Sequence, residues 1–424
     1  MIKALYLRSE FRPLNFLFLL ALTASVQAVE LSDSLTFHGF GSLGFTYNND
    51  DDTTYLRNIA QPGADIDDFS FEHDSRLGLQ LNYQPGNNFS AALQAVSKYR
   101  YDRTFTPDVS WAYVKYNPDP DLDLRAGRLG LDIFFRSDSR DIGYSYLWAR
   151  PPVDYYGQLN VSRFDGLDIN RRFTVLDGIL RLKGFYGEAN EKFPAFNDST
   201  VDFGGSRIYG LLGEYQDTNW TVKLGVSQME LGDEGEDPAI TELAQTLRSL
   251  GTLTSTPQAV SLASDLEMRD KNFTYYSLGI AYDEGPWRTQ FAISHIDTET
   301  LVVPDNDAAY LSIGYNIDRW TPYLLLSYIK SEKPGRTTGL TTPPVPAPDL
   351  ALVDALVAEA QTGGQVDQQT LAIGARYDFD NNMALKMQMD YIHSEVNPSL
   401  VWYVNDNNWD GDNVIFSVTL DFVF

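Results

Sequence analysis

The sequence feature that most constrains the fold is an alternation of apolar and polar residues with a period of two. It recurs in segments of about ten residues, the length that a tilted strand needs to cross a lipid bilayer. The last segment, residues 414–424, shows it most clearly and ends in an aromatic residue, Phe424. The same alternation is found in residues 77–83, 220–226, 371–377 and 385–391. Because strands of a soluble β-sandwich are shorter, typically about five or six residues, the pattern predicts an all-β fold, a transmembrane antiparallel up-and-down β-barrel.

The N-terminal 28 residues have the organisation of a secretory signal peptide. Basic residues at Lys3, Arg8 and Arg12 precede an apolar run over residues 16–22, and a small residue, Ala28, marks the expected cleavage site. We therefore expect a signal peptide at residues 1–28, followed by one barrel domain at residues 29–424 whose first strand begins near residue 35. Removing the three basic residues and the single acidic residue of this segment changes the formal charge from −26 to −28.

Composition excludes several classes of protein. A chain this acidic is not expected to bind nucleic acid, and the absence of cysteine excludes zinc–thiolate sites and cysteine nucleophiles. No apolar run after residue 28 approaches the roughly 18 to 20 residues of a membrane-spanning helix. The 25 Tyr, 24 Phe and 7 Trp residues suit the aromatic girdles of a barrel. No cofactor is expected.

Short polar turns and long polar connections alternate along the chain, which predicts the topology. The turns are expected near residues 84–88, 117–121, 172–178, 217–219, 283–286, 318–319 and 380–382, which are rich in turn-forming residues. Seven turns with both termini on the same side imply about sixteen strands. Eight long outer loops are expected near residues 48–74, 98–109, 130–160, 188–204, 230–271, 298–308, 331–367 and 395–412. Two loops contain helix-like stretches, which Asp237-Pro238 and Asp349 are predicted to begin.

Two histidine-containing triplets are the nearest candidates for catalysis, which would make the chain an outer-membrane lipase or protease. In residues 393–395, His393 and Ser394 are adjacent, so a strand would point them to opposite faces. In residues 73–75, His73 and Ser75 could share a face, but no oxyanion donor is identifiable. We therefore expect no enzyme and no catalytic residue. A barrel enzyme and a surface adhesin are the alternatives to a channel.

Acidic clusters fall in the expected outer loops, at residues 50–52, 65–68 and 233–237. There they could be bridged to lipopolysaccharide by divalent cations. None has the spacing of a defined calcium loop, so we interpret them as a solvated acidic face and predict no metal ligand. Outer-membrane lipid and lipopolysaccharide are the expected surroundings.

The whole pattern resembles the general Gram-negative porins, and the specific points of resemblance are residues 126–128 leading into the third long loop and the final strand ending in Phe424. Members of that family are sixteen-stranded trimeric barrels whose third loop folds into the lumen. The resemblance implies a homotrimeric, water-filled outer-membrane channel for small hydrophilic solutes and ions, with Phe424 as the barrel-assembly signal. The third loop lacks the family's usual short acidic motif and ends in Arg150-Pro151-Pro152, which indicates a less characterised porin-like branch.

Charge is concentrated around this third loop. Between Arg125 and Lys183 there are ten basic and seven acidic residues, whereas the chain as a whole is strongly acidic. Fixed charge at the narrowest point of a pore acts on every ion that passes. The residues predicted to form the constriction are Arg128, Asp132, Arg136, Asp138, Arg140, Asp141 and Arg150. The alternative is that the arginines tie the loop to the barrel wall through Asp132, Asp138 and Asp141.

Overall fold

The computed structural model describes residues 29–50, 53–62, 69–158, 161–194, 200–232, 238–332, 335–342, 344–395, 402–404 and 409–424. The predicted signal peptide lies outside the described residues. Sixteen long strands run antiparallel to their neighbours: β1 Leu35–Asn48, β2 Arg76–Tyr83, β3 Phe89–Lys98, β4 Asp108–Asp119, β5 Leu122–Gly130, β6 Arg163–Val175, β7 Gly178–Ala189, β8 Ser206–Gln216, β9 Trp220–Glu230, β10 Asn272–Glu284, β11 Trp287–Thr298, β12 Asn306–Tyr315, β13 Trp320–Ser331, β14 Asp367–Asp380, β15 Met383–Ser394 and β16 Asp412–Val423. The predicted strand count is confirmed.

The sheet closes on itself. Each strand pairs with the next, and β16 pairs both with β15 and with β1, where Phe422 lies opposite Gly41. Closure leaves no strand edge with unpaired backbone groups, which is what a sheet in hydrocarbon requires. The predicted up-and-down barrel is therefore confirmed.

Side chains alternate between the two faces of the barrel wall. In β13, Leu324, Leu326 and Tyr328 are exposed on the outside, whereas Leu325 and Ser327 between them are buried inside. At the short-turn ends of the strands, tryptophan rings pack against tyrosine rings of the neighbouring strand, in the pairs Trp220–Tyr282, Trp287–Tyr315 and Trp320–Tyr377. An apolar outer band with such an aromatic girdle matches a lipid-facing surface.

Connections alternate in length as predicted. The seven tight turns contain residues 84–88, 120–121, 176–177, 217–219, 285–286, 316–319 and 381–382. Several require a left-handed backbone, which Gly285 adopts without strain at φ 58° and Asp318 adopts at φ 54°. The eight other connections are longer and lie at the opposite end of the barrel. Short strand pairs order parts of these long connections: Thr53–Tyr55 with Trp402–Val404, Phe69–Ser70 with β1, and Lys192–Pro194 with Thr200–Asp202. A further short strand, Val29–Ser32, pairs with the start of β1 at the short-turn end.

The described α-helices are α1 Val153–Tyr156, α2 Pro238–Thr254, α3 Pro257–Leu266 and α4 Ala347–Thr362, and two 3₁₀ helices lie in the third loop at Ser137–Ser139 and Gly143–Ser145. Both predicted helical loops are confirmed, although Asp349 lies in the first turn of α4 and Pro346 occupies the cap position. Asp237 lies outside the described residues. Helices α2, α3 and α4 bury an apolar cluster that includes Leu247, Leu262 and Val357. None of the helices in the described ranges is long and apolar enough to span a membrane.

The C-terminal residue lies at the seam between β16 and β1. Phe424 and Gly39 exchange two backbone hydrogen bonds of 2.8 Å. The aromatic ring of Phe424 covers Gly39 so closely that a Cβ atom at residue 39 would overlap it. Glycine is therefore required where the closing ring packs on the first strand.

Candidate functional site

The third long loop, residues 131–162, contacts the interior face of the barrel wall far from its own ends. The indole Nε1 of Trp148 donates to Ser312 Oγ of β12 at 2.7 Å. Arg376 of β14 donates to the Tyr146 carbonyl at 2.9 Å, and Lys386 of β15 donates to the Gly143 carbonyl at 2.7 Å. These wall residues alternate with exposed lipid-facing ones, so the loop reaches the wall from inside.

Aromatic residues of the loop pack on the same side of the interior. Phe134, Tyr146, Trp148, Tyr155 and Tyr310 of β12 belong to one buried cluster. The hydroxyl groups of Tyr156 and Tyr310 lie 3.0 Å apart. Apolar packing of this kind fixes one edge of the loop against β10–β14.

Arg150 holds the far end of the loop to the first strand and the first outer loop. Its side chain is 1% exposed, donates to Thr46 Oγ1 at 2.8 Å and pairs with Asp74 at 2.5 Å. Asp74 also pairs with Arg57 at 2.6 Å. Burial by itself would raise the pKa of Asp74, but Arg150 and Arg57 hold that pKa well below its usual range. The carboxylate is therefore charged at neutral pH.

Asp132 holds the beginning of the loop. Its buried carboxylate pairs with Lys223 of β9, and it lies 3.6 Å from Lys183 and 3.3 Å from Arg181, both of β7. One carboxylate and three basic groups thus join the loop to the inner wall. The three basic groups compensate the charge of the carboxylate, whose burial without partners would cost free energy.

Arg128 lies apart from the other predicted constriction residues. Strand β5 continues to Gly130, and Arg128 lies opposite Asp165 of β6 in the ladder. Arg125 and Leu129 are on the interior face, so Arg128 shares the exterior face with exposed Leu167. Its guanidinium forms two hydrogen bonds of 2.8 Å with the Asp165 carboxylate. The structure therefore does not bring Arg128 together with the middle of the third loop.

Four predicted residues occupy that middle part. Arg136 has a left-handed backbone at φ 57°, and its carbonyl accepts a hydrogen bond from the Tyr146 hydroxyl. Arg140 donates to the Val161 carbonyl at 3.0 Å and lies 4.6 Å from the centre of the Phe134 ring. Asp138 is exposed, and Asp141 pairs with Lys98 of β3 at 2.8 Å.

A cavity of about 340 Å³ lies between this part of the loop and the outer ends of β2–β4. Basic side chains outnumber acidic ones in its lining, where Arg57, Arg76, Lys98, Arg100, Arg140, Arg163 and Lys192 accompany only Asp108, Asp141 and Glu191. The sequence predicted Arg140 and Asp141 as site residues but not the basic residues of the barrel wall, such as Arg76 and Lys98. The alternation of the strands could have indicated them, because Arg76 and Lys98 are ladder partners at the outer ends of neighbouring strands and point to the same face.

Most cations of the cavity have carboxylate partners. Lys98 pairs with Asp141, Arg57 with Asp74, and Arg163 with Asp108 at 2.6 Å. Within the described ranges, Arg76 and Arg140 form no ion pair; instead, Arg76 donates to the Arg140 carbonyl at 3.4 Å. The Nη2 atom of Arg140 is also buried without a hydrogen-bond acceptor. Among the described residues, these two guanidinium groups therefore add positive charge to the cavity lining without a carboxylate in direct ion-pair contact.

The two histidine triplets do not form a catalytic arrangement. The His73 ring contacts Ser70 Oγ at 2.9 Å and the Pro62 carbonyl at 3.3 Å, while Ser75 Oγ accepts from the Gly44 backbone. Burial lowers the pKa of His73 to about 4, so the ring is neutral at physiological pH. His393 pairs with Asp412 on the outer face, whereas Ser394 is buried on the other side of β15. In the part of the chain that the structure describes, no group of three or more acidic or histidine side chains is arranged to hold a metal ion.

A closed sixteen-stranded barrel with an apolar outer band and a charged interior cavity defines an outer-membrane channel protein. The family model of the Gram-negative porins matches residues 17–398, and the chain belongs to this family. It is an outer-membrane porin, a water-filled channel for passive diffusion of small hydrophilic solutes, as the sequence predicted. No curated protein sequence matches this chain.

Several solved structures, among them outer-membrane proteins and a porin, have the same fold at low sequence identity. OmpT of Vibrio cholerae is 14% identical, with coverage of 94% of this chain and 100% of that chain and a TM-score of 0.52. OmpF of Salmonella typhi, in complex with daunomycin, is 11% identical, with coverage of 94% and 100% and a TM-score of 0.54. An anion-selective porin from Comamonas acidovorans is 13% identical, with coverage of 92% and 99% and a TM-score of 0.52.

Proposed function

We propose that solutes cross this porin through the cavity between the third loop and β2–β4, and that the basic lining makes the channel prefer anions. The observation that carries the proposal is the pair of guanidinium groups in the cavity lining, Arg76 and Arg140, that form no ion pair among the described residues. Arginine stays charged at any physiological pH and presents a rigid set of donors to carboxylate, phosphate or sulfate.

The local field outweighs the acidic charge of the whole chain. Salt screens charges beyond about 8 Å at physiological ionic strength, so carboxylates in the outer loops act weakly on an ion inside the pore. Charges that line a narrow passage within low-dielectric walls act on every passing ion. The formal charge of −26 therefore does not decide selectivity.

The predicted constriction residues divide into two groups in this proposal. Arg140 and Asp141 line the passage and contribute to its field, whereas Arg136 and Asp138 lie in the same part of the loop but outside the cavity lining. Asp132 and Arg150 position the loop through buried ion pairs, and the Arg128–Asp165 pair stabilises the outer wall. In this proposal, some of the predicted residues influence ion selectivity, and others attach the third loop to the barrel wall.

Assembly and export are proposed on separate grounds. We propose a homotrimer, because in-vitro folded OmpT of Vibrio cholerae has a trimer form and the fold is shared. Residues 1–28 are proposed to be a cleaved signal peptide. Lipopolysaccharide is proposed to contact the outward-facing charges near the loop ends of the strands, such as Arg207 and Glu230, which lie 3.5 Å apart. Neither a barrel enzyme nor an adhesin is favoured by any contact of the described residues.

The test is the zero-current potential of the channel in a salt gradient across a planar bilayer. Replacing Arg76 and Arg140 with alanine should shift the potential toward cation preference, and conductance should rise because the passage widens. The control is the double variant Arg171→Ala/Arg207→Ala, which removes the same charge from the lipid-facing side, where Arg171 is partly exposed and Arg207 is exposed. An unchanged potential in the Arg76/Arg140 variant, with an intact heat-resistant barrel, would refute the proposal.

A further inference from the structure

We propose that the cavity is a binding site for aromatic carboxylates, so that this channel retains them longer than small inorganic or aliphatic anions. This inference rests on the anion preference proposed above and adds the class of solute. It comes from the second chemical component of the lining, which is aromatic.

Aromatic rings face the cavity from two elements. Tyr99 and Tyr101 follow β3 in the β3–β4 loop, and Phe134, Tyr146 and Tyr156 come from the third loop. Tyr101 and Tyr156 are partly exposed, whereas the other three rings are nearly buried behind the cavity surface. A small ion that enters a narrow site needs polar or charged groups to replace the water molecules of its hydration shell, and the face of an aromatic ring is a poor substitute for water. A solute with an apolar face of its own gains from contact with such rings. The lining is thus suited to a solute that is both anionic and partly apolar.

The charged and apolar groups lie next to each other. The Arg140 guanidinium is 4.6 Å from the centre of the Phe134 ring, and the Arg100 guanidinium is 5.5 Å from that of Tyr101. Arg76 contacts the Arg140 backbone. A carboxylate held by Arg76 and Arg140 would therefore place an attached ring against aromatic side chains, and flat guanidinium groups also stack on rings.

Cavity size agrees with a compact ligand. The volume of about 340 Å³ is at the lower end of the roughly 300 to 1,000 Å³ typical of small-molecule sites. One substituted ring fits with water beside it, whereas acetate would leave the ring faces hydrated. Affinity should therefore increase when the carboxylate carries a ring.

The experiment measures block of the chloride current through single channels of the full-length protein. Benzoate, acetate and benzyl alcohol are compared, which separates the contributions of ring and charge. We expect benzoate to block saturably at a concentration about ten-fold or more below that of acetate, because the ring leaves water on binding. Benzyl alcohol should not block.

Variants locate the site. Tyr101→Ser removes a half-buried ring from the β3–β4 loop, outside the strands, and should weaken block by benzoate without changing block by acetate. Tyr186→Ser removes a ring that is 58% exposed on the outer face of β7 and should change neither. Equal block by benzoate and acetate, or unchanged benzoate block in Tyr101→Ser, would overturn the inference. The zero-current potential of the same membranes tests the proposed anion preference separately, so either idea can fail alone.

Discussion

Replacing Asp74 with asparagine should release the far end of the third loop from the wall. Asparagine keeps the shape of the side chain but not its charge, and the Asp74 carboxylate is fully buried between Arg150 and Arg57. Arg150 is 1% exposed, and among the described residues it would retain only a distant carboxylate, Asp390 at 3.8 Å. Removing one partner of a buried pair costs about 3–5 kcal/mol, since it leaves an uncompensated charge.

A penalty of about 4 kcal/mol lowers the ratio of attached to detached loop by roughly a thousand-fold. Single-channel recordings in planar bilayers should then show transitions between conductance levels where the unmodified channel holds one level. The control is Asp165→Asn, which removes a partly exposed partner of Arg128 on the outer wall and should cost less than about 1 kcal/mol.

A second substitution tests the cause. In Asp74→Asn/Arg150→Met, the buried charge is removed together with its partner, so the steady conductance should largely return. A steady single level in Asp74→Asn alone would show that the apolar packing of Trp148 and Tyr155 suffices to hold the loop, and would refute this reasoning.

Three further predictions concern assembly, pH and oligomeric state. Deleting Phe424, or replacing Gly39 with valine, should lower the amount of heat-resistant barrel in the outer membrane. The reason is that an open seam leaves backbone groups unpaired in hydrocarbon, which costs roughly several kcal/mol for each group. Normal amounts of barrel in both variants would contradict this prediction. The pKa of His73 is lowered by burial to about 4, below its unfolded value of about 6.5, so the unfolded loop binds more protons and stability should fall as the pH drops through this window. In the His73→Gln variant, single-channel noise should increase less on acidification than in the unmodified channel. The same dependence of noise on pH in both proteins would contradict the prediction. Native mass measurement in detergent should give three times the subunit mass, whereas a persistent monomer would exclude the trimer.

The sequence by itself determined the architecture. Alternation with a period of two is a local property, and each strand displays it regardless of its neighbours, so the segment ending at Phe424 already indicates a membrane-facing surface. Turn residues such as Gly285 and Asp318 also act locally, through the backbone angles that they permit. Strand number, loop positions and the helical loops followed from these signals.

Only the tertiary structure decided which arginines form ion pairs. Arg128, Arg140 and Arg150 look alike in sequence, yet Arg128 pairs on the outer wall, Arg150 is buried against Asp74, and Arg140 keeps its charge at the cavity. The partners come from strands and loops far along the chain, and the path of the third loop brings them together. Because ion pairing depends on distance and burial rather than on order in the sequence, the partners of these arginines follow only from the closed barrel.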